Sequence, residues 1–349
     1  MKENPFTISF GRVNKKAIDR QEEMTPIYDD FLAESPRNNI YIITGPRGSG
    51  KTVALANILE DFKGRKDWVV ARLSESSNML EQMASLLYEH GLTKLKFLKT
   101  EFSFSFHGVS FNVKGDKPAT SIQTYLSDLL SYYKKKGIRV LVAIDDVAKS
   151  KDMMDFIKAY QGFVIDKHDV CLLMTGLRKN IAALQSSSSL TFLVRAPKLQ
   201  LKPLSLWAIA SSYRSTFEIS QEESLVLAKA TKGYAMAFQV LGDILFRSNK
   251  KALDQAVLEE YDSRLSEWSY DFIWKDLSER DKEILSLVSE GKTTNEQILQ
   301  SLPVSKQNLT NSKRSLVEEG ILEGPSRGEF EFSLPRFDSF IRLRKILEE

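Results

Sequence analysis

The sequence has 349 residues, too many for one ordinary hydrophobic core, so we expect two or three domains. A hydrophobic fraction of 42% and a charged fraction of 27% exclude a fibrous, low-complexity or disordered chain. The net charge of +3 is too small to indicate a polyanionic partner by itself, and a single cysteine, Cys171, excludes disulfides and thiolate zinc sites.

The N-terminus and the apolar runs bear on localisation. The first residues lack the apolar stretch of a signal peptide. The longest apolar run, residues 140–144, is far shorter than the roughly 20 residues of a membrane span. We therefore expect a cytoplasmic protein with no membrane association.

A strand, a glycine-rich loop and a helix are predicted in succession in residues 40–59. Residues 40–44 are apolar and rich in β-branched side chains, as in a buried strand, and the residues after Thr52 have the apolar spacing of a helix packed on one face. Between them lies a full match to the phosphate-loop pattern GxxxxGK[ST]. The candidate nucleotide-binding residues are Gly45, Pro46, Arg47, Gly48, Ser49, Gly50, Lys51, Thr52 and Val53.

This pattern predicts a site for ATP or ADP with Mg²⁺. Its glycines allow successive backbone N–H groups to turn towards a phosphate, and the helix N-terminus adds partial positive charge. Lys51 is placed to reach the β- and γ-phosphates, and the Thr52 hydroxyl to bind Mg²⁺.

An insertion is predicted at about residues 95–115. Residues 102–106 and 109–113 alternate between apolar and polar side chains on either side of His107-Gly108, which indicates a β-hairpin. Its Phe and Val stripe packs on the domain's own core or forms a partner-binding edge.

After a second predicted strand at residues 68–73, a further apolar strand at residues 139–144 ends in Asp145-Asp146. A strand that delivers two carboxylates after a phosphate loop is the Walker B pattern. Asp145 is the candidate metal-binding residue, with Thr52, and Asp146 the candidate catalytic residue that polarises the attacking water, acting with Lys51.

Two further catalytic candidates follow. Thr175 lies at the end of another buried strand, where it either senses the γ-phosphate or caps the turn. Arg195 precedes the predicted fifth strand, residues 197–201, and is either an arginine finger that reaches a phosphate on a neighbouring subunit or a solvated surface charge.

The sequence predicts five apolar strands that alternate with helices, at residues 40–44, 68–73, 139–144, 169–176 and 197–201. Such an order predicts a parallel sheet with nucleotide at the strands' C-terminal ends. With the motifs above, residues 174–181, 201–204 and 231–239 resemble the AAA+ and signal-transduction P-loop ATPases, in particular the prokaryotic group related to origin-recognition ATPases. In many such ATPases the segment before the first strand closes over adenine, so the resemblance implies a candidate base-contacting turn at Phe10-Gly11-Arg12. Relatives commonly have Pro where Ala235 stands.

The remaining sequence predicts two smaller helical parts. Residues 205–268 contain four apolar helical patterns, which the resemblance makes a lid. From residue 276, three helices and a hairpin at 326–332 predict a winged helix, with Leu309, Leu316 and Val317 turned inward on its third helix. The outward side chains of that helix would be Lys306, Gln307, Thr310, Asn311 and Arg314.

The winged helix leaves two partners open. Lys306, Arg314 and Arg327 are candidate contacts to double-stranded DNA. Residues 276–349 nevertheless carry 11 Lys and Arg against 14 Asp and Glu, a net charge of −3, so DNA affinity would depend on a local basic strip. Winged helices also bind proteins.

We predict an α/β fold with a parallel-sheet, AAA+-like P-loop domain at residues 1–203, a helical lid at 204–275 and a winged-helix domain at 276–349. The predicted function is hydrolysis of ATP to ADP and phosphate, with nucleotide state controlling lid and winged-helix placement, in association with DNA. A slow nucleotide-dependent switch that acts through protein partners, and a pseudoenzyme with structural nucleotide, are the alternatives. A homo-oligomer is compatible with each.

Overall fold

The chain divides into two structural units, here called the sheet unit and the helical unit. The computed structural model describes residues 3–6, 18–75, 78–93, 105–106, 109–110, 121–324 and 328–348. The sheet unit comprises Gln21–Thr44 and Lys51–Gln200, and the helical unit comprises Met1–Arg20, Gly45–Gly50 and Leu201–Glu349.

A five-stranded parallel sheet forms the centre of the sheet unit, with strand order β2-β5-β6-β1-β7. The inner strands β5 and β6 are buried along almost their whole length, as expected for a parallel sheet covered on both faces. The strands of the unit are β1 (Ile40–Thr44), β2 (Trp68–Leu73), the short antiparallel pair β3 (Ser105–Phe106) and β4 (Val109–Ser110), β5 (Arg139–Ile144), β6 (Val170–Gly176) and β7 (Lys198–Gln200).

The helices of the sheet unit connect these strands. Hydroxyl side chains start two of them: Ser121 and Ser150 each accept a hydrogen bond from the backbone N–H three residues later. The helices are α1 (Gln21–Leu32), α2 (Lys51–Lys63), α3 (Met79–Thr93), α4 (Ile122–Lys135), α5 (Lys151–Ile165) and α6 (Arg178–Gln185), followed by a 3₁₀ helix (Ser188–Arg195).

From Leu201 the helical unit contains four helices, which lie within a few residues of the four helices predicted from the sequence at 205–268. Gly233, with φ of +75°, lies before the third of them, where a Cβ would come within 2.6 Å of the Leu204 carbonyl oxygen. The helices are α7 (Leu206–Phe217), α8 (Gln221–Ala230), α9 (Ala235–Ser248) and α10 (Gln255–Leu265), continued by a π-helical turn (Ser266–Tyr270) and α11 (Asp271–Lys275).

The last part of the helical unit, residues 276–348, is here called the C-terminal segment. It contains three helices, an antiparallel pair of short strands and a final helix. An isolated antiparallel bridge joins Thr294 to Glu329 beside the pair. The elements are α12 (Glu279–Ser289), α13 (Asn295–Ser301), α14 (Lys306–Glu318), β8 (Leu322–Glu323), β9 (Glu331–Phe332) and α15 (Phe337–Glu348).

One continuous hydrophobic core runs from Phe6 through α7–α11 into the C-terminal segment as far as Ile341. Polar contacts join the same parts. The Tyr270 hydroxyl donates to the Pro335 carbonyl oxygen at 2.6 Å, and the Arg336 guanidinium donates to both carboxylate oxygens of Asp262. Because the core and the polar contacts are shared, we expect helices α7–α11 and the C-terminal segment to move together.

The parallel sheet and the helical region after it confirm the predicted fold class. The prediction for α14 needs one correction: Val317 is exposed, and Ser312 takes an inward place with Leu309 and Leu316. Phe10-Gly11-Arg12, Arg327 and most of the 95–115 insertion lie outside the described residues. Within the described ranges, no helix has both the length and the hydropathy for a membrane span.

Candidate nucleotide-binding site

The phosphate loop has the backbone conformation that its glycines allow. Gly48 and Gly50 have φ of +75° and +92°, in the left-handed region that other residues rarely adopt. The turn closes with a 3.2 Å hydrogen bond from the Ser49 N–H to the Pro46 carbonyl oxygen. At Lys51 the chain enters the first turn of α2.

Three successive loop carbonyls accept hydrogen bonds from other parts of the helical unit. The Arg47 oxygen accepts from the Tyr234 hydroxyl at 2.8 Å, the Gly48 oxygen from the Met236 N–H at 3.1 Å, and the Ser49 oxygen from the Arg20 guanidinium at 3.3 Å. In a trans peptide the N–H points opposite to the C=O. The Gly48 N–H shares a peptide with the Arg47 carbonyl, and the Gly50 N–H shares one with the Ser49 carbonyl. Both N–H groups therefore point away from Tyr234 and Arg20, which hold these carbonyls.

One observation in the loop fits a bound phosphate, and a second explains the glycine at position 48. The Ser49 side chain is 6% exposed, and its hydroxyl has no hydrogen-bond partner among the described residues. A buried hydroxyl without a partner costs free energy unless a ligand or water satisfies it. A Cβ on Gly48 would lie 2.1 Å from the Tyr234 hydroxyl oxygen, so only glycine leaves the room that this packing needs.

The first turn of α2 carries the loop's charged and hydroxyl side chains. Lys51 is buried, at 8% exposure, whereas Thr52 and Val53 are exposed. A helix start combines orphan N–H groups with the positive end of the helix dipole, and both favour an anion.

The ends of β5 and β6 form a carboxylate cluster in the sheet unit. These strands are paired up to Ile144 and Met174, so the residues after them meet at one edge. The fully buried Thr175 donates its hydroxyl to Asp145 at 2.5 Å and accepts from the Asp146 N–H at 2.9 Å. Thr175 therefore organises the Walker B carboxylates, a role that sequence reasoning did not assign to it.

The donor set suits a magnesium ion that is shared with phosphate. Thr52 offers a hydroxyl oxygen and Asp145 a carboxylate, both hard ligands. In the described part of the chain, no three His, Cys, Asp or Glu side chains cluster as a metal site would require. Phosphate and water oxygens would have to complete the coordination, as is usual for Mg²⁺ at nucleotide sites.

Arg72, near the end of β2, and Glu75, just after it, join the cluster and were missed from the sequence. Arg72 forms an ion pair with Asp145 at 3.5 Å, and the Glu75 carboxylate accepts from the Ala148 N–H at 3.0 Å. Burial raises the pKa of the Glu75 carboxyl, and the charge of Asp146 adds to the rise. The available signal was a run of polar residues at the end of a strand, which β2 places beside β5.

Thr175 gives the first testable prediction. Thr175→Val should lower the free energy of unfolding of the sheet unit by about 1 kcal/mol, because the partly buried Asp146 N–H loses its acceptor and the Asp145 carboxylate loses a donor. Thr175→Ser retains the hydroxyl and serves as the matched control. Urea unfolding of both variants measures the difference, and equal midpoints would show that the hydroxyl does not hold the cluster.

The other predicted residues are exposed side chains. Arg195 ends the 3₁₀ helix, is exposed, and pairs with no group in the described ranges. On α14, Lys306, Gln307, Thr310, Asn311 and Arg314 are all exposed, as the sequence predicted.

Comparisons with known proteins cover most of the chain. Residues 18–192 match the model of a family described as an ATPase domain predominantly from Archaea, and residues 269–341 match a domain of unknown function. Among proteins with curated descriptions, none matches this sequence significantly.

Several solved structures share the fold across nearly their whole length. A Walker-type ATPase of Pyrococcus abyssi has a TM-score of 0.66 at 13% identity, with 97% of this chain and 99% of that chain covered. The ORC2 protein of Aeropyrum pernix, in ADPNP-ADP complexes, has a TM-score of 0.58 at 12% identity, with 97% and 98% covered. Cdc6p from Pyrobaculum aerophilum has a TM-score of 0.50 at 13% identity, with 97% and 96% covered. At these identities the likeness concerns the fold.

Proposed function

Because the chain belongs to the family of ATPase domains found predominantly in Archaea, we propose that it is a P-loop ATPase related to the origin-recognition ATPases, which binds Mg·ATP and hydrolyses it to ADP and phosphate. The observation that carries the proposal is the phosphate loop, whose carbonyls are held on one side while the Gly48 and Gly50 N–H groups turn to the other. The ORC2 structure in ADPNP-ADP complexes supports a nucleotide ligand.

In this proposal the loop and the first turn of α2 bind the phosphates. The N–H groups of Gly48 and Gly50 donate to phosphate oxygens, and the Lys51 ammonium neutralises charge on the β- and γ-phosphates. Thr52 and Asp145 would hold Mg²⁺, which when bound neutralises charge on the phosphate oxygens.

The carboxylate cluster would prepare the attacking water. Asp146 orients a water so that its oxygen forms a bond to the γ-phosphorus while the bond to the bridging oxygen breaks, and ADP leaves. Thr175 keeps Asp145 in place and holds the Asp146 backbone through its N–H. The φ of +52° at Asp146 puts its backbone in the left-handed region, which few residues other than Gly, Asn and Asp adopt.

Arg195 would take part only in an oligomer. Its exposed position supports an arginine finger that reaches the γ-phosphate of a neighbouring copy, and the alternative is a surface charge. Added Arg195→Ala subunits that lower the turnover of the native chain would support the first, and strictly proportional activity would support the second.

DNA association through a winged helix is the second part of the proposal. The antiparallel pair β8–β9 beside α12–α14 supports a winged helix, and the exposed face of α14 carries groups that donate to phosphates and base edges. The net charge of −3 on residues 276–349 supports the alternative, a slow switch that binds a protein partner there.

Salt-dependent binding separates these readings. If α14 contacts DNA, replacing both Lys306 and Arg314 with alanine should weaken duplex DNA binding about tenfold or more, and reduce the slope of log affinity against log salt by about 2, because each cation neutralises about one phosphate. The paired substitution of Lys229 and Lys251 with alanine, which removes two exposed cations outside α14, is the charge-matched control. Fluorescence anisotropy at several salt concentrations measures both. Affinity that the paired substitution on α14 leaves unchanged would favour the protein-binding switch.

A further inference from the structure

The Tyr234 hydroxyl lies at the contact between the phosphate loop and the lid helices. It is 2.8 Å from the Arg47 carbonyl oxygen and 2.6 Å from the Ser269 hydroxyl, and its side chain is 6% exposed. A phenol has one proton, and a carbonyl oxygen can only accept. The Tyr234 O–H therefore donates to Arg47, and the Ser269 O–H donates to Tyr234.

The residue that follows Ser269 in the chain contacts the C-terminal segment through a separate hydrogen bond. Ser269 lies in the π-helical turn, and its neighbour Tyr270 donates to the Pro335 carbonyl oxygen at 2.6 Å. Arg47 adds a second contact, since its guanidinium lies over the Phe272 ring, 5.4 Å from the centroid. The loop thus contacts the last part of the π-helical turn, through Tyr234 and Ser269, and the start of α11, through Arg47 and Phe272.

Backbone packing brings the loop and the C-terminal segment together directly. A Cβ on Gly320, at the end of α14, would lie 2.8 Å from the Pro46 ring. Only glycine at position 320 therefore allows the chain after α14 to pack this closely against Pro46 of the loop.

We propose that Tyr234 is a positioning residue, which fixes the Arg47–Gly48 peptide for phosphate binding and passes the state of the loop through Ser269 to the C-terminal segment around Pro335. This inference rests on the proposed function, since it assumes that the loop binds nucleotide. With the Arg47 oxygen held by Tyr234, the Gly48 N–H stays turned away from the lid. A phosphate that accepts from the Gly48 N–H and shifts this peptide also shifts the Arg47 oxygen, to which the Tyr234 hydroxyl donates.

The substitution Tyr234→Phe removes the hydroxyl and keeps the ring. Tyr213→Phe is the matched control, because Tyr213 is equally buried in the helical unit and donates to the Phe238 carbonyl oxygen at 2.7 Å, away from the loop. Ser269→Ala is a second variant, which shortens the hydrogen-bond chain without changing a ring.

Two measurements on the full chain test the inference. Calorimetric titration with Mg·ADP should give about five- to tenfold weaker binding for Tyr234→Phe, a smaller loss for Ser269→Ala, and an unchanged affinity for Tyr213→Phe. Hydrogen exchange of residues 328–341 should change on ADP binding in the native chain and in Tyr213→Phe, but not in Tyr234→Phe saturated with ADP.

The outcomes separate two kinds of failure. If the native chain binds no ADP, the proposed function fails and the inference fails with it. If the native chain binds ADP while Tyr234→Phe matches Tyr213→Phe in both affinity and exchange, the inference alone is overturned. A loss of affinity with an intact exchange response would limit Tyr234 to the loop and overturn the transmission to the C-terminal segment.

Discussion

Lys51→Ala is expected to weaken the binding of Mg·ADP about 100-fold. The lysine is buried at the start of α2, and removing a charge that pairs with phosphate in a partly dry site costs about 3 kcal/mol. Alanine is the best helix former, so α2 should persist. Isothermal titration calorimetry measures the affinity directly.

A matched lysine of the same helix provides the control. Lys63, in the last turn of α2, is exposed and pairs with Glu60 at 3.4 Å. Lys63→Ala should bind Mg·ADP as the native chain does. Equal affinity in Lys51→Ala and Lys63→Ala would mean that the loop does not bind phosphate through Lys51.

Asp145→Asn is expected to lower Mg²⁺-dependent ATP turnover about 100-fold or more, with little change in nucleotide binding measured without magnesium. The amide keeps an oxygen that can accept from Thr175, so the cluster retains its shape while the metal loses a charged ligand. The substitution also removes one negative charge, and the Arg72 guanidinium therefore loses its ion-pair partner.

The dependence on magnesium concentration distinguishes metal binding from other effects. Turnover of the Asp145→Asn variant should recover in part at high Mg²⁺, since a weakened site is filled by mass action. Asp155→Asn, an exposed carboxylate on α5 paired with Lys158, is the control and should remain active. A variant at Asp145 with native turnover would remove this carboxylate from the metal site.

The sheet could be predicted from local patterns, because the apolar run of a buried strand can be recognised within a few residues. Strands β1, β5 and β6 are buried apolar runs, whereas the edge strand β7 is short and largely exposed. The phosphate loop has glycine at the two positions whose φ is positive. Burial on both faces makes such runs unambiguous in an α/β protein.

Contacts between distant segments could not be predicted in this way. Tyr234 and Arg47 are 187 positions apart, and no periodicity links a phenol to a carbonyl at that separation. The sequence predicts one helix up to residue 268, whereas the structure has a π-helical turn from Ser266. A single wide turn changes the apolar spacing very little, so the sequence pattern does not show it.

The final helix was missed although its signal was present. Phe337, Phe340 and Ile341 lie at helical spacing and are buried, but sequence reasoning stopped at the hairpin that completes a winged helix. The domain boundaries at residues 203 and 275 stay predictions. The two units of the structure divide the chain at other positions, and one core continues past residue 275.

Phosphate release from ATP by the native chain, measured beside Lys51→Ala purified in the same way, tests the central claim most directly. The account predicts turnover that requires Mg²⁺ and disappears in Lys51→Ala, whatever its rate and whether or not duplex DNA raises it. Equal phosphate release from both proteins, or none from the native chain with and without DNA, would contradict the assignment of ATP hydrolysis to this site.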